Sequence, residues 1–461
     1  MSVRLEYDRG TLLIHPDEET ASAELTLPGC TFDSRVRLWR APAHRYRELM
    51  TLLHRAGVAV ENEAGGFEAL DLRLRLEREP FPYQAEAVDT WWQTGRRGVV
   101  VLPTGTGKTY VAQLVVERVA RSCLVVVPTL DLMQQWYGEL STAFDTEVGL
   151  IGGGYYEPQA VTVTTYDSAY IHMERLGNRF ALLIFDEVHH LPGPTYATAA
   201  ELSLAPFRLG LTATPEREDG GEARLDRLVG PIVYRREIGE LAGEFLADYE
   251  TQRLRVRLSQ QEREEYLEAR QIYRDFVTDH RISFGSRGGW ARFLMLTSRS
   301  EEGRRAFMAY RKQRMISQAS SAKLRLLTTL LERHRGDRAL IFTSDNETVY
   351  RISREFLIPA ITHQTKVKER HETLQKFNSG VYPFLVTSRV LNEGVDVPAA
   401  NVGIVLSGSG TVREHVQRLG RILRRAEGKR AILYEVVAED TAEEFTSSRR
   451  RQHGAYQRSA S

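Results

Sequence analysis

Short apolar runs alternate with helical stretches over two separate parts of the chain. The runs lie at 98–102, 124–127, 162–164, 182–185 and 209–211, and then at 339–342, 384–386, 402–406 and 431–435. Short runs rich in β-branched residues are typical of strands buried on both faces of a parallel sheet, with helices crossing between them. The pattern therefore predicts an α/β fold class with two parallel-sheet lobes.

The regions around these lobes have different patterns. Val3, Leu5 and Tyr7 alternate before a turn, which predicts a hairpin. The spacing of residues 46–53 predicts a helix that ends near Gly57. We expect an N-terminal α+β module at 1–76, a first lobe at 77–240, and a second lobe at 241–461 with a charged helical insertion at about 258–330.

Charge and cysteine content narrow the class of protein. The 62 basic and 61 acidic residues nearly balance, but residues 299–338 hold eleven Lys and Arg against four Asp and Glu. Such a run is usually a solvated helix face, and it is also compatible with nucleic-acid binding. Two cysteines, no export signal and no long apolar run predict a cytoplasmic protein without a membrane partner.

A glycine-rich loop follows the first apolar run of the first lobe. The residues expected to surround the phosphates are Thr104, Gly105, Thr106, Gly107, Lys108 and Thr109. Glycines let backbone N–H groups close around phosphate oxygens at the start of a helix. We expect Lys108 to hold the β and γ phosphates of ATP and Thr109 to place its hydroxyl on Mg²⁺. Leu102 replaces the first glycine of the general pattern.

An acidic pair follows the run at 182–185. Asp186 is expected to hold Mg²⁺, and Glu187 to orient and deprotonate the attacking water. A zinc site at His189 and His190 is less favoured, because adjacent histidines lack metal-ligand spacing and no cysteine pair supports them. The first lobe therefore carries both halves of a predicted ATP hydrolysis site.

Two arginines in the second lobe are the expected counterpart of that site. Arg421 and Arg424 share one helix face, and a bound nucleotide would give them a negative charge to neutralise. An arginine in that role contributes about 10³- to 10⁵-fold in rate. The alternative is a basic helix that binds backbone phosphates.

The order of these motifs resembles that of superfamily 2 helicases of the DExH type, from about residue 80 to 440. The stretch from Asp186 to Pro192, the triplet Arg217, Glu218 and Asp219, and the helical insertion resemble the XPB helicases of archaea and bacteria. This resemblance implies two RecA-like lobes, with the helical insertion acting as a thumb. It also implies a damage-recognition role for residues 1–76.

The resemblance implies further residue roles. Gln84 would read the adenine, Asp396 and Gln417 would help to bind the nucleotide, and His189, Thr212 and Thr214 would couple the nucleotide state to DNA. The expected DNA contacts are Pro128, Thr129, Thr165, Thr343 and Thr387 along the backbone, Arg217, Glu218 and Asp219 near the point of strand separation, and Arg304 and Arg305 on the thumb. Small hydroxyls suit phosphate contacts that do not read the base sequence.

The resemblance implies 3′ to 5′ movement on single-stranded, duplex or forked DNA in nucleotide excision repair or transcription, with a repair nuclease or a transcription protein as partner. Three alternatives stay open from the sequence. They are a duplex translocase without strand separation, similar to restriction-enzyme motors; an RNA-directed helicase of the DExH type; and a DNA clamp or scaffold that uses ATP only as a switch.

Overall fold

A computed structural model of the chain describes residues 2–17, 27, 29–75, 78–217, 219–284, 288–388, 400–408 and 430–450. The chain divides into two compact units, Met1–Glu237 and Ile238–Ser461. The strands are β1 (Ser2–Asp8), β2 (Thr11–Pro16), β3 (Thr31–Asp33), β4 (Leu38–Pro42), β5 (Ala59–Asn62), β6 (Arg97–Val101), β7 (Cys123–Val127), β8 (Val148–Gly152), β9 (Tyr155–Glu157), β10 (Val161–Thr165), β11 (Leu182–Asp186), β12 (Phe207–Thr212), β13 (Ile232–Arg235), β14 (Asp248–Val256), β15 (Ala339–Phe342), β16 (Ala360–Ile361), β17 (Phe384–Thr387), β18 (Val402–Val405) and β19 (Arg430–Ala438).

The α-helices are α1 (Tyr46–Arg55), α2 (Pro82–Gln93), α3 (Lys108–Val119), α4 (Leu130–Ala143), α5 (Tyr166–Leu176), α6 (Ala197–Glu201), α7 (Leu225–Leu228), α8 (Ile238–Leu241), α9 (Gln260–Asp279), α10 (Gly289–Arg299), α11 (Glu301–Gln318), α12 (Ser321–Arg333), α13 (Asn346–Phe356), α14 (Val367–Ser379) and α15 (Ala442–Arg450). Short 3₁₀ turns lie at Ala43–Arg45, Val188–His190 and Gly221–Arg224.

Across the described ranges, no helix combines the length and the apolar character needed to cross a lipid bilayer.

The N-terminal module is a small sheet packed against α1. Its strand order is β3-β4-β2-β1-β5, and β1 and β2 form the predicted antiparallel hairpin. Leu5, Leu12 and Ile14 are fully buried in one apolar cluster with Leu53 of α1. Gly57 lies just beyond α1 with a φ of 69°, a left-handed conformation that glycine adopts without strain. Both the hairpin and the helix predicted for this module are confirmed.

The module packs directly on the first lobe. The Tyr7 hydroxyl lies 2.9 Å from the carbonyl oxygen of Leu202 and 3.1 Å from that of Met173. Leu204, which precedes β12, is buried in the same apolar cluster as the core of the module. The module and the first lobe therefore belong to one compact unit.

The first lobe contains an eight-stranded sheet with the order β13-β6-β12-β11-β7-β10-β8-β9. The pairings from β13 to β8 are parallel, and β9 pairs antiparallel with β8 at the edge. Every residue of β7, β10 and β11 is buried, as expected for strands covered by helices on both faces. Loops that follow these parallel strands therefore share one edge of the sheet.

The second unit contains a six-stranded parallel sheet with the order β14-β19-β18-β15-β17-β16. Leu324, Leu327 and Leu330 of α12 pack in its apolar core with Ile341 and Ile404. Together with the sheet of the first lobe, this sheet confirms the predicted α/β class.

The helices α9, α10 and α11 form the charged insertion between β14 and β15. Ser259 and Glu262 form a capping box that starts α9, because each side chain accepts a hydrogen bond from the other residue's backbone N–H. Phe276 and Phe293 are buried where these helices meet, with ring centroids 6.2 Å apart. Aromatic packing therefore holds the insertion together as a helical element of the second unit.

Candidate active site

The phosphate-binding loop lies between β6 and α3. Gly105 and Gly107 have φ values of 87° and 78°, which lie in the region that favours glycine. A Cβ atom on Gly107 would lie 2.7 Å from Nε2 of Gln84. The Lys108 ammonium donates to the carbonyl oxygens of Leu102 at 3.2 Å and Pro103 at 3.4 Å. These bonds hold the ammonium close to the loop that is expected to bind phosphate.

Gln84 fixes the position of this loop. Its side chain is fully buried, its Oε1 accepts from the Phe81 N–H at 3.0 Å, and its Nε2 donates to the Thr106 carbonyl oxygen at 2.8 Å. The Tyr83 hydroxyl donates to the same oxygen at 2.7 Å. Burial raises the pKa of Tyr83 to about 12, so this hydroxyl keeps its proton at neutral pH. The predicted adenine contact of Gln84 stays a prediction.

Asp186 is the last residue of β11, and protein donors orient its carboxylate. Oδ1 accepts from the Glu187 backbone N–H at 2.9 Å, and Oδ2 accepts from the Trp136 indole N–H at 2.9 Å. The Tyr166 hydroxyl donates to the Asp186 carbonyl oxygen at 3.0 Å. Neither Trp136 nor Tyr166 was predicted to act here. In the sequence, these two residues are marked only by the apolar spacing of α4 and α5. That spacing indicates that the side chains are buried, but it does not identify their partners.

Glu187 follows in a left-handed backbone conformation with a φ of 47°. Non-glycine residues rarely adopt this conformation, and such strain is concentrated at functional sites. The His189 Nδ1 lies 3.5 Å from the Glu187 Oε2 and 3.1 Å from the Thr212 Oγ1. The Thr214 N–H donates to that Thr212 oxygen at 3.1 Å. The three residues predicted to couple nucleotide state to DNA are thus connected to one another and to Glu187.

The predicted magnesium ligands are both oxygen donors. Thr109 lies in the first turn of α3, and Asp186 ends β11. Hydroxyl and carboxylate oxygens suit Mg²⁺, which usually keeps several of its waters and binds few protein groups. Within the described ranges, no cluster of three or more His, Cys, Asp and Glu residues could hold a metal ion on its own. The two oxygen donors fit the ligand preference of a magnesium ion.

Trp136 provides a test of this arrangement. We expect Trp136→Phe to raise the Mg²⁺ concentration for half-maximal ATP hydrolysis by about tenfold, a usual cost of losing a partner that orients a metal ligand. The phenyl ring keeps part of the aromatic packing, whereas the hydrogen bond to Asp186 is lost. The measurement is a magnesium titration of ATP hydrolysis. Trp92→Phe is the control, because Trp92 packs under the Arg96 and Arg118 guanidinium groups instead. An unchanged magnesium dependence in folded Trp136→Phe would contradict this role.

The predicted DNA-backbone residues of the first lobe lie where strands end. Pro128 and Thr129 follow β7, and Thr165 ends β10. The Thr129 and Thr165 hydroxyls cap α4 and α5, and each accepts from a backbone N–H at 3.2 Å. These residues share the sheet edge with the phosphate-binding loop, and DNA contact by them stays a prediction.

In the second unit, Thr343 follows β15 and Thr387 ends β17. Their hydroxyls donate to the carbonyl oxygens of Asp345 and Ser388 at 2.9 and 3.3 Å. Arg304 and Arg305 are exposed on α11. The predicted residues Glu218, Asp396, Gln417, Arg421 and Arg424 lie outside the described residues.

Three parts of the chain match known protein families. Residues 77–217 match the res subunit of type III restriction enzymes, residues 322–426 match the helicase conserved C-terminal domain, and residues 5–64 match the damage recognition domain of the xeroderma pigmentosum group B helicase. The predicted resemblance to XPB helicases is therefore confirmed.

Individual relatives support the same assignment. The chain is 40% identical to the DNA 3′-5′ translocase XPB2 of Sulfurisphaera tokodaii, over 98% of the chain and 100% of that protein. It is 30% identical to the DNA 3′-5′ helicase XPB of Mycobacterium tuberculosis, over 89% of the chain and 70% of that protein. It is 25% identical to a general transcription and DNA repair factor IIH subunit, XPB/SSL2 of Saccharomyces cerevisiae, over 83% of the chain and 44% of that protein. The chain therefore belongs to the XPB family of superfamily 2 helicases and translocases.

Proposed function

We propose that this chain is an ATP-dependent DNA translocase and helicase that moves 3′ to 5′ and opens DNA in excision repair or transcription. One observation carries the part of the proposal that concerns ATP hydrolysis. The Leu102 N–H donates to the Thr212 carbonyl oxygen at 3.0 Å, and Asp186 is in register with Leu211. The strand order β6-β12-β11 thus brings the phosphate-binding loop and the acidic pair to either side of Thr212. The names of the relatives support the DNA substrate and the direction of movement.

The chemistry proposed for this site is hydrolysis of the γ-phosphate of ATP, in the manner of a DExH-type ATP hydrolase. Lys108 stabilises negative charge on the β and γ phosphates, and Glu187 orients the attacking water and accepts its proton. Thr109 and Asp186 would hold Mg²⁺, which would supply positive charge near the phosphates. His189 lies between Glu187 and Thr212. A movement of the acidic pair would therefore be transmitted through His189 to Thr212, at the end of β12.

The second lobe is proposed to supply Arg421 and Arg424, which would neutralise negative charge that develops during hydrolysis. Asp396 and Gln417 are proposed to help bind the nucleotide. These four assignments rest on the sequence motifs. Relatives named as subunits of general transcription and DNA repair factor IIH support the further proposal that this chain works with a repair or transcription protein.

The proposed function predicts how nucleic acid changes ATP turnover. We expect DNA to raise kcat for ATP hydrolysis severalfold and RNA to have little effect, because DNA is the proposed nucleic-acid substrate. The measurement is an ATP hydrolysis titration with single-stranded DNA, duplex DNA and RNA of matched length. Apparent DNA affinity should fall steeply with salt, since each phosphate contact contributes a slope of about −0.9 for duplex DNA. Equal stimulation by RNA would favour an RNA-directed helicase and would overturn the assignment of substrate.

A duplex translocase without strand separation is the second candidate. The match of residues 77–217 to a restriction-enzyme subunit and the relative named a translocase favour it. Displacement of a third strand from a triplex reports movement along duplex DNA, whereas unwinding of a forked duplex reports strand separation. Triplex displacement without unwinding would select the translocase. ATP hydrolysis without either activity would select the ATP-switched clamp.

A further inference from the structure

Arg217 connects the loop after β12 to the segment that carries Glu187. Its Nε and Nη2 atoms donate to the two carboxylate oxygens of Asp219, both at 2.8 Å, and its Nη1 donates to the carbonyl oxygen of His189 at 2.5 Å. The Arg217 backbone N–H also donates to Glu222 Oε2 at 3.2 Å. One guanidinium group therefore joins two carboxylate oxygens and one backbone carbonyl within the first unit.

The pair of Arg217 and Asp219 is charged at neutral pH and has a fixed orientation. The Arg217 hydrogen bond lowers the pKa of Asp219, as does a second hydrogen bond from the Gly221 N–H at 3.0 Å. The carboxylate in turn raises the pKa of Arg217. A bidentate contact of this kind restricts the rotation of the guanidinium plane, so the Nη1 atom stays directed at His189.

The segment that receives this bond includes the strained part of the hydrolysis site. Glu187 has a positive φ, and a 3₁₀ turn follows at Val188–His190. Thr212 holds the His189 side chain, and Arg217 holds the His189 carbonyl oxygen. Both anchors come from β12 and the loop that follows it. The orientation of the peptide two residues after Glu187 therefore depends on Arg217.

We propose that Arg217 is a positioning residue that holds the backbone of residues 187–189 in the geometry needed for hydrolysis. This inference rests on the proposed function. It assigns Arg217 a positioning role in place of the direct DNA contact that the resemblance implies. Three of its donor bonds lie within the protein, and only 21% of its side chain is exposed. A DNA phosphate would have to compete with a carboxylate that already binds the guanidinium group in a bidentate manner.

Arg217→Ala is expected to lower kcat for ATP hydrolysis by about 10- to 100-fold, the effect of a misplacement of about 1 Å, with KM for ATP within about twofold. Arg217→Lys should recover part of the loss, because its ammonium can reach a carbonyl but cannot bind in a bidentate manner. Arg227→Ala is the matched control, since Arg227 binds Glu201 on the surface of the same lobe. A kcat equal to that of the unmodified chain in Arg217→Ala would overturn the proposal.

Two further measurements separate this role from DNA binding and from ATP turnover itself. In hydrogen exchange without nucleotide, the amides of His190 and Leu191, which donate to Glu187 and Val188, should exchange faster in Arg217→Ala and at the normal rate in Arg227→Ala. The salt dependence of DNA affinity should be unchanged, whereas loss of a phosphate contact would reduce its slope by about 1. A reduced slope with normal exchange would show a DNA contact. Turnover in the unmodified chain tests the proposed function independently of these comparisons.

Discussion

Replacing Glu187 with glutamine is expected to lower the rate of ATP hydrolysis by about 10²- to 10⁴-fold, the usual contribution of a general base. The amide has nearly the same shape as the carboxylate and fits the same buried site, where Glu187 is 8% exposed. It cannot accept a proton from the attacking water. Because Lys108 and the phosphate-binding loop are unchanged, ATP affinity should stay within about threefold.

Single-turnover hydrolysis and nucleotide binding by calorimetry measure the two quantities separately. Glu201→Gln is a suitable control, because Glu201 is a half-buried acid on the same lobe that pairs with Arg224 and Arg227. Normal turnover in Glu187→Gln would remove Glu187 as the base. Loss of ATP binding would instead indicate that the carboxylate organises the nucleotide site.

Replacing Arg208 with methionine is expected to destabilise the first unit by about 3 kcal/mol, since each unmet buried acceptor costs about 1 to 3 kcal/mol. Arg208 is fully buried in β12 and donates to the carbonyl oxygens of Ser203 at 2.8 Å, Ala205 at 3.2 Å and Leu228 at 2.5 Å. Burial also lowers the pKa of Arg208, so removing the charge recovers part of its desolvation cost. The free-energy cost of leaving three carbonyl groups without this donor is larger than that gain.

Thermal unfolding of the whole chain measures this effect. The transition of the first unit should move down by about 6 to 12 °C, because 1 kcal/mol corresponds to about 2 to 4 °C for a unit of this size. Arg227→Met is the control, since 58% of the Arg227 side chain is exposed. An unchanged transition would mean that the desolvation cost of the buried guanidinium equals the value of its three hydrogen bonds.

Most strands buried on both faces were predictable from sequence because they are continuous apolar runs, whereas the buried strand β8 was not predicted, because glycines interrupt its apolar run. The run at 339–342 coincides with β15, and β7, β11 and β17 extend the predicted runs by one residue. The edge strand β9 was not predicted, because its residues are all exposed and lack an apolar run. The long pairing of β14 with β19 was also not predicted, because β14 is only partly buried and its partner lies far away in sequence.

The phosphate-binding loop and the acidic pair could be located from the sequence because each motif is contiguous, and their chemistry stays a prediction. Their supporting contacts could not be located from the sequence. Trp136 binds Asp186 across 50 positions, and Arg217 binds His189 across 28. Apolar spacing predicts that a tryptophan is buried, and a charge triplet predicts a turn, but neither identifies a partner. Tertiary packing selects these partners, so only the folded structure reveals them.

The N-terminal module meets the first lobe at residues that precede its strands, including Leu204 before β12 and Gly95, whose carbonyl binds Arg47, before β6. The phosphate-binding loop follows β6, and the acidic pair lies at the end of β11, which pairs with β12. A five-residue strand such as β6 spans about 16 Å, so the contact with the module and the loops proposed to bind nucleotide lie about one strand length apart. The contact with the module therefore leaves the loops proposed to bind nucleotide uncovered by the module, at the opposite ends of the strands.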